Sequence, residues 1–262
     1  MFWLGSRAMY RRRTGLAARL ARRAFRWRFR LLHARRHGKV DLARVRGLPL
    51  LVLPEVFHPE FFFATSFFLG YLDRRPIVPS MRVLDMGTGS GALAVALARR
   101  GATVIAVDIS PPAVRCARAN VLLHGLEARV TVCESDLFAA LPAARFDLIV
   151  FNSPFYDRPA RDLADRAWAA GAGSETVWRF LREAPCYLRP GGEILIMGST
   201  EAPMTASLRA APGYATRVVA QRELLGERLF LFALRPLTAP VKDASGHAGV
   251  RHLTGPDVKH PL

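Results

Sequence analysis

The chain has 262 residues, 51% of them hydrophobic, and a formal net charge of +17. That size and apolar fraction suit one sizeable α/β domain with extensions, and no apolar run reaches the roughly 18 residues of a membrane-spanning helix. Three cysteines, Cys116, Cys133 and Cys186, are scattered, odd in number and form no CxxC pair, which argues against a disulfide scaffold and for a reducing, cytoplasmic setting.

The charge is concentrated at the start. Thirteen of the 38 basic residues and none of the 21 acidic ones fall in residues 1–40, leaving +4 for the remainder. Leu16, Leu20, Ala24, Trp27 and Leu31 recur at helical spacing, while Arg19, Arg22, Arg23, Arg26 and Arg30 fill the other faces. Residues 1–40 are therefore expected to form a basic amphipathic extension. Three readings of it stand side by side. It is a solvated helix, an anchor to RNA or the ribosome through phosphate neutralisation, or a helix lying on an anionic membrane surface. His33 and His37 have a metal-like spacing, but arginines surround them and no carboxylate is near, so no metal is expected.

Residues 41–78 carry a strand-like segment at 48–53, three phenylalanines (Phe61, Phe62, Phe63) expected in the core, and a helix through Phe67–Leu69. From 79 to 151, strand and helix alternate at the spacing of a parallel sheet. Strands are expected near 82–86, 103–108, 129–133 and 146–151, with helices near 90–100 and 111–123. Residues 160–189 are expected to be mainly helical, ended by Pro190-Gly191-Gly192. A fifth strand follows at 193–197, and the last two at 214–225 and 229–234. Residues 237–262, rich in Pro, Gly, His and Lys, are expected to be a disordered tail.

The chemistry concentrates at the strand ends. Val83-Leu84-Asp85-Met86-Gly87-Thr88-Gly89-Ser90-Gly91 is a strand, a tight turn and a helix start, placed where open α/β sheets bind nucleotide-like ligands. The glycines also satisfy a loose dinucleotide pattern, which alone is weak. Asp85 shifts the balance, because a carboxylate two residues before the first glycine is a poor neighbour for pyrophosphate. It is tolerable beside a ligand with a cationic end, such as S-adenosylmethionine (SAM). Asp108, ending the next strand about 20 residues on, fits either a ribose acceptor or the N-cap of the following helix. Asp136 follows the third strand. The fourth, Phe146–Phe151, runs into Asn152-Ser153-Pro154-Phe155.

Together these segments resemble the class I SAM-dependent methyltransferases, in the branch that carries Asn-Pro-Pro-Tyr/Phe after the fourth strand and methylates planar NH2 groups. The segment around Trp168, Gly171, Gly173 and Trp178, and the upstream Val56-Phe57-His58-Pro59 with Thr65-Ser66, are similar to the release-factor glutamine methyltransferases. The resemblance covers roughly residues 50–236. It implies a Rossmann-like fold, with a mostly parallel seven-stranded sheet, helices on both faces and an antiparallel last strand, over a domain of residues 41–236. It also implies SAM contacts at Asp85, Gly87, Gly89, Gly91, Asp108, Asp136 and Asn152, with catalysis by Asn152, Ser153, Pro154 and Phe155.

An amide NH2 is a weak nucleophile because its lone pair is delocalised. Two acceptors, the Asn152 side-chain carbonyl and the Ser153 backbone carbonyl, would hold its N–H bonds and turn the lone pair toward the methyl group. Phe155 would stack on the planar group. Serine at 153, where the branch has proline, is expected to leave the loop freer, although Pro154 still restrains it toward extended geometry. The acceptor implied is a protein glutamine amide, for instance on a translation factor. Alternatives are an exocyclic amine of adenine or guanine in RNA or DNA, a non-catalytic SAM-fold module with a decayed site, and an NAD-dependent oxidoreductase. Asp85 and the lack of a hydride-transfer partner disfavour the last.

Overall fold

Segments of Val, Ile, Leu and Phe too apolar for a one-sided sheet pair side by side and are covered on both faces. The computed structural model describes residues 39–60, 63–154, 158–161, 170–200, 202, 204–224 and 227–237. The elements are β1 (Asp41–Val45), β2 (Leu48–Val52), α1 (Phe63–Leu72), β3 (Arg82–Met86), α2 (Ala92–Ala98), β4 (Thr103–Asp108), α3 (Pro111–Leu123), β5 (Val130–Glu134) and β6 (Phe146–Phe151). There follow α4 (Glu175–Glu183), β7 (Leu188–Ser199), α5 (Met204–Leu208), β8 (Tyr214–Leu224) and β9 (Glu227–Pro236).

Seven strands form one sheet in the order β5-β4-β3-β6-β7-β9-β8. The pairs from β5 to β7 are parallel, and β9 runs antiparallel to both neighbours. This is the mostly parallel, doubly covered sheet that the sequence implied. The strand order reverses between β3 and β6, and a crevice opens at the carboxyl ends of strands at such a switch point.

Alternate side chains of each strand enter opposite cores. Val83, Val104, Leu148, Val150, Leu195 and Met197 pack with α1, α2 and α3. Leu84, Ile149, Phe151, Ile194 and Ile196 pack with α4 and α5. On that second face Phe180 of α4 lies 4.7 Å from Phe151 and 5.5 Å from Phe138, ring centre to ring centre. The last residue of β6 before Asn152 is thereby held from below.

Three elements differ from the sequence reading. Leu48–Val52 does not stand alone: β1 pairs with it antiparallel through the two-residue turn Arg46-Gly47, both at positive φ, as tight hairpins require. Pro190-Gly191-Gly192 does not separate a helix from a strand. It lies inside β7 as an irregularity, with Phe146 opposite Leu188 and Leu148 already opposite Glu193. Phe63 is 38% exposed rather than core. Phe61 and Phe62, the basic extension through residue 38 and the tail from 238 lie outside the described residues. Among the described residues no helix is long and apolar enough to cross a membrane.

The hairpin is fastened to α3 by a buried amide. Asn120, fully buried, donates to the Leu51 and Ser90 carbonyls (2.7 and 2.8 Å) and accepts the Leu51 N–H (2.7 Å). Its side chain thus pairs with Leu51 as a neighbouring strand would, and with its other hydrogen holds the glycine-rich turn. Cys116, one helical turn earlier, donates to the same Leu51 carbonyl at 3.3 Å. Cys116, Cys133 and Cys186 are all free thiols.

Candidate functional site

The turn after β3 is shaped by its glycines and by Asp85. Gly87, Gly89 and Gly91 all have positive φ (62°, 57° and 81°). A Cβ on Gly89 would meet nothing within 4 Å, because that position faces the open crevice. Gly91 is different. Expected among the ligand contacts, it does not line the crevice; a Cβ there would sit 3.1 Å from the Ala117 Cα. Gly91 lets α2 start close against α3, which is a packing role.

Asp85 is 1% exposed. Its Oδ2 accepts the Thr88 hydroxyl at 2.7 Å and the Ala94 N–H at 3.0 Å, tying the strand end to the turn and to the first turn of α2. Its Oδ1 is buried and has no hydrogen-bond partner among the described residues. Burial pushes the carboxyl up to about 7, against the two hydrogen bonds that favour ionisation and with a small further push from Asp108. In the ligand-free protein the native state therefore keeps a proton that the unfolded chain has released above its ordinary 3.8. Stability from this group is full below about 4 and is lost as pH rises toward about 7. Asp85→Asn should flatten that decline, by roughly a few kcal/mol over the window. Thermal melts at pH 5 and pH 8 check this: wild type and variant falling in parallel would mean that Asp85 ionises normally.

Asp108 closes the turn from the neighbouring strand. Its Oδ2 accepts the Gly89 N–H and its Oδ1 the Ser110 N–H, both at 2.9 Å. Burial raises its pKa, and backbone N–H bonds from Ser110, Gly89 and Ile109 oppose the rise. The N-cap of α3 is Ser110, so the alternative reading of Asp108 as the cap is set aside.

These residues line one crevice of ≈ 700 Å³ at the carboxyl ends of β3, β4 and β6. Its walls include Asp85, Gly87, Gly89, Asp108, Asp136, Asn152, Ser153 and Pro154. Asn152 Oδ1 is buried with no hydrogen-bond partner among the described residues. Ser153 is 2% exposed, and its hydroxyl does not face the crevice: it donates to the Met197 carbonyl of β7 at 3.0 Å. The loop is tied down there, not freer as the missing proline suggested. Phe155 and Trp168 lie outside the described residues.

The upstream segment also reaches the site, with Val56, Phe57, Pro59 and Thr65 on its wall. His58 turns inward to Asp41, Nε2 to Oδ2 at 3.2 Å. Among the lining residues that the sequence reading did not single out are Thr88 and Arg179. Thr88 was hidden among the glycines, where a hydroxyl three residues after a buried acid was the available signal. Arg179 of α4 forms an ion pair with Asp136, so an adenine amino group at Asp136 would share that carboxylate. Nothing local in the sequence marks that pairing.

The donor set suits SAM. The crevice is in the size range of small-molecule sites. Its glycine turn is flanked by two carboxylates, Asp85 and Asp108, and Arg161 and Arg179 also line the crevice, Arg179 paired with Asp136. An orphaned buried acidic oxygen calls for a cation or a donor, not for a phosphate. Among the described residues no group of three or more His, Cys, Asp or Glu is arranged to hold a metal ion.

Comparison with known proteins points the same way. The family described as "Methyltransferase small domain" matches residues 48–224. A ribosomal protein uL3 glutamine methyltransferase of Bradyrhizobium diazoefficiens is 38% identical over 175 residues, covering 60% of this chain and 54% of that protein. A release factor glutamine methyltransferase of Cereibacter sphaeroides is 35% identical over 159 residues, covering 56% of this chain and 57% of its own. The chain thus spans about half the length of these relatives. Among solved structures, the T. thermophilus 16S rRNA N2 G1207 methyltransferase in complex with AdoMet and guanosine superposes with a TM-score of 0.55. It is 26% identical, with 74% of this chain and 50% of that chain covered.

Proposed function

We propose that this chain, which belongs to the methyltransferase small-domain family, moves a methyl group from SAM to the side-chain amide nitrogen of a protein glutamine in the translation apparatus. The observation that carries the reading is the Asn152 carbonyl oxygen, buried, without a partner among the described residues, and in the same crevice as Asp85 and Asp108. A buried acceptor left open is costly unless something donates to it. A planar NH2 group is such a donor.

When bound, SAM supplies an electrophilic methyl group on a sulfonium. Asp108, with the lone pairs its backbone bonds leave free, would accept from ribose hydroxyls. Asp85, whose buried Oδ1 has no partner among the described residues, would hold the cationic end. Asp136, shared with Arg179, would hold the adenine amino group. Asn152 Oδ1 and the Ser153 backbone carbonyl each hold one N–H of the acceptor amide, which aims the nitrogen lone pair and stabilises positive charge as it develops there. Phe155 is the proposed stacking face. Residues 41–236 are the catalytic unit, and the basic segment 1–40 docks on RNA, the ribosome or an anionic surface near the acceptor.

The names of the relatives, glutamine methyltransferases of ribosomal protein uL3 and of release factors, support a protein acceptor. The net charge of +17 favours a second reading, an exocyclic amine of guanine or adenine in RNA. Incubation with methyl-labelled SAM and a ribosome-containing lysate separates the two. Label is expected in protein, as N5-methylglutamine by mass spectrometry; label in ribonuclease-sensitive material alone would replace the acceptor.

A further inference from the structure

The ladder between β6 and β7 has its last register pair at Phe151 and Ile196. Beyond it the chain enters Asn152-Ser153-Pro154, and Pro154 has no N–H to offer. The next carbonyl along β7, that of Met197, instead takes its hydrogen from a side chain, the Ser153 hydroxyl at 3.0 Å. Ser153 is 2% exposed, so water does not compete for this bond. Its neighbour is Asn152, whose buried Oδ1 has no partner among the described residues to hold it in place. Something other than Asn152's own side-chain bonds must therefore fix where that oxygen points.

We infer that Ser153 is a positioning residue: its hydroxyl, anchored on the Met197 carbonyl, sets the backbone of the Asn152 loop and so aims the Asn152 carbonyl into the crevice. In the Asn-Pro-Pro motif that the segment resembles, a second proline restrains φ at this position. Here a hydrogen bond to the next strand gives the restraint and satisfies a strand-end carbonyl that proline would leave without this donor. The inference rests on the proposed role of Asn152 and adds what holds it.

Two variants separate aiming from mere stability. Ser153→Ala removes both the donor and the restraint; Ser153→Pro removes the donor and restores a restraint. Ser153→Ala should lower kcat about tenfold, the range expected for loss of one hydrogen bond, with the KM for SAM unchanged. In the ligand-free protein, amide hydrogen exchange in a peptide covering residues 148–156 should quicken by a similar factor. Ser153→Pro should return kcat to within about threefold of wild type while its Tm stays with that of Ser153→Ala, since neither supplies a donor to Met197. If kcat instead follows Tm in both variants, the hydroxyl is only structural and the inference is overturned. Unchanged exchange and kcat in Ser153→Ala overturn it as well. Should wild type transfer no label to any acceptor, the methylation reading falls, and the exchange comparison still decides whether Ser153 holds the loop.

Discussion

Asn152→Ala should keep SAM binding and lose methyl transfer by about 100- to 1000-fold, the range expected when one polar group placed for the transition state is removed. The side chain ends β6 on the crevice wall, and its Oδ1 has no structural bond among the described residues to lose. Folding should therefore be little affected, and SAM affinity should stay within a few fold. Titration calorimetry with SAM and single-turnover transfer measure the two separately. A loss of SAM affinity matching the loss of rate would move Asn152 from the acceptor to the cofactor. Unchanged turnover would remove the amide-holding argument altogether. Asn152→Asp adds a charge while keeping an acceptor, and it should retain more activity than alanine at high pH.

Asp108→Ala strikes the other half of the crevice. The carboxylate holds the Gly89 and Ser110 N–H groups, so its removal frees the glycine turn and the start of α3 together. It also removes the proposed ribose acceptor. Hydrogen bonds to a charged group are worth about 1.5–3 kcal/mol each, so SAM affinity should fall by about 100-fold or more. Asp108→Asn keeps an acceptor oxygen and should fall less. Ligand-induced shifts in Tm report both: SAM should raise the Tm of wild type, raise that of Asp108→Ala far less, and NAD should raise neither. Stabilisation by NAD alone would return the glycine turn to the dinucleotide reading.

Local pattern made the sheet legible. Helix α3 is expected at 111–123 and runs Pro111–Leu123, because prolines at its start and a Gly after its end mark both boundaries. β3, β4 and β6 are short apolar runs with Asp85, Asp108 and Asn152 at or beside their ends, and they fall where expected. β1 was not legible: Asp41 and Arg44 break its apolar run, and only Ala43 and Val45 of its five residues are buried. At the site, Asp85, Asp108 and Asn152 could be named from strand ends and spacing. The bonds that define their neighbours could not. Ser153 meets a carbonyl 44 residues on, Asp136 an arginine 43 on, and Asn120 a strand 69 residues earlier. Gly91 was placed in the ligand shell because its motif position is shared with Gly89; only the approach of Ala117 assigns it to packing.

The Asn120 amide has one further consequence. It grips Leu51 with both of its ends and the Ser90 carbonyl with its remaining hydrogen, so the small hairpin and the glycine turn cannot loosen independently. Opening either strands a polar group in a dry interior, which makes the two a single cooperative unit. A molecule filling the crevice then slows the breathing of a hairpin it never touches, and damage to the hairpin is felt as weaker grip on that molecule.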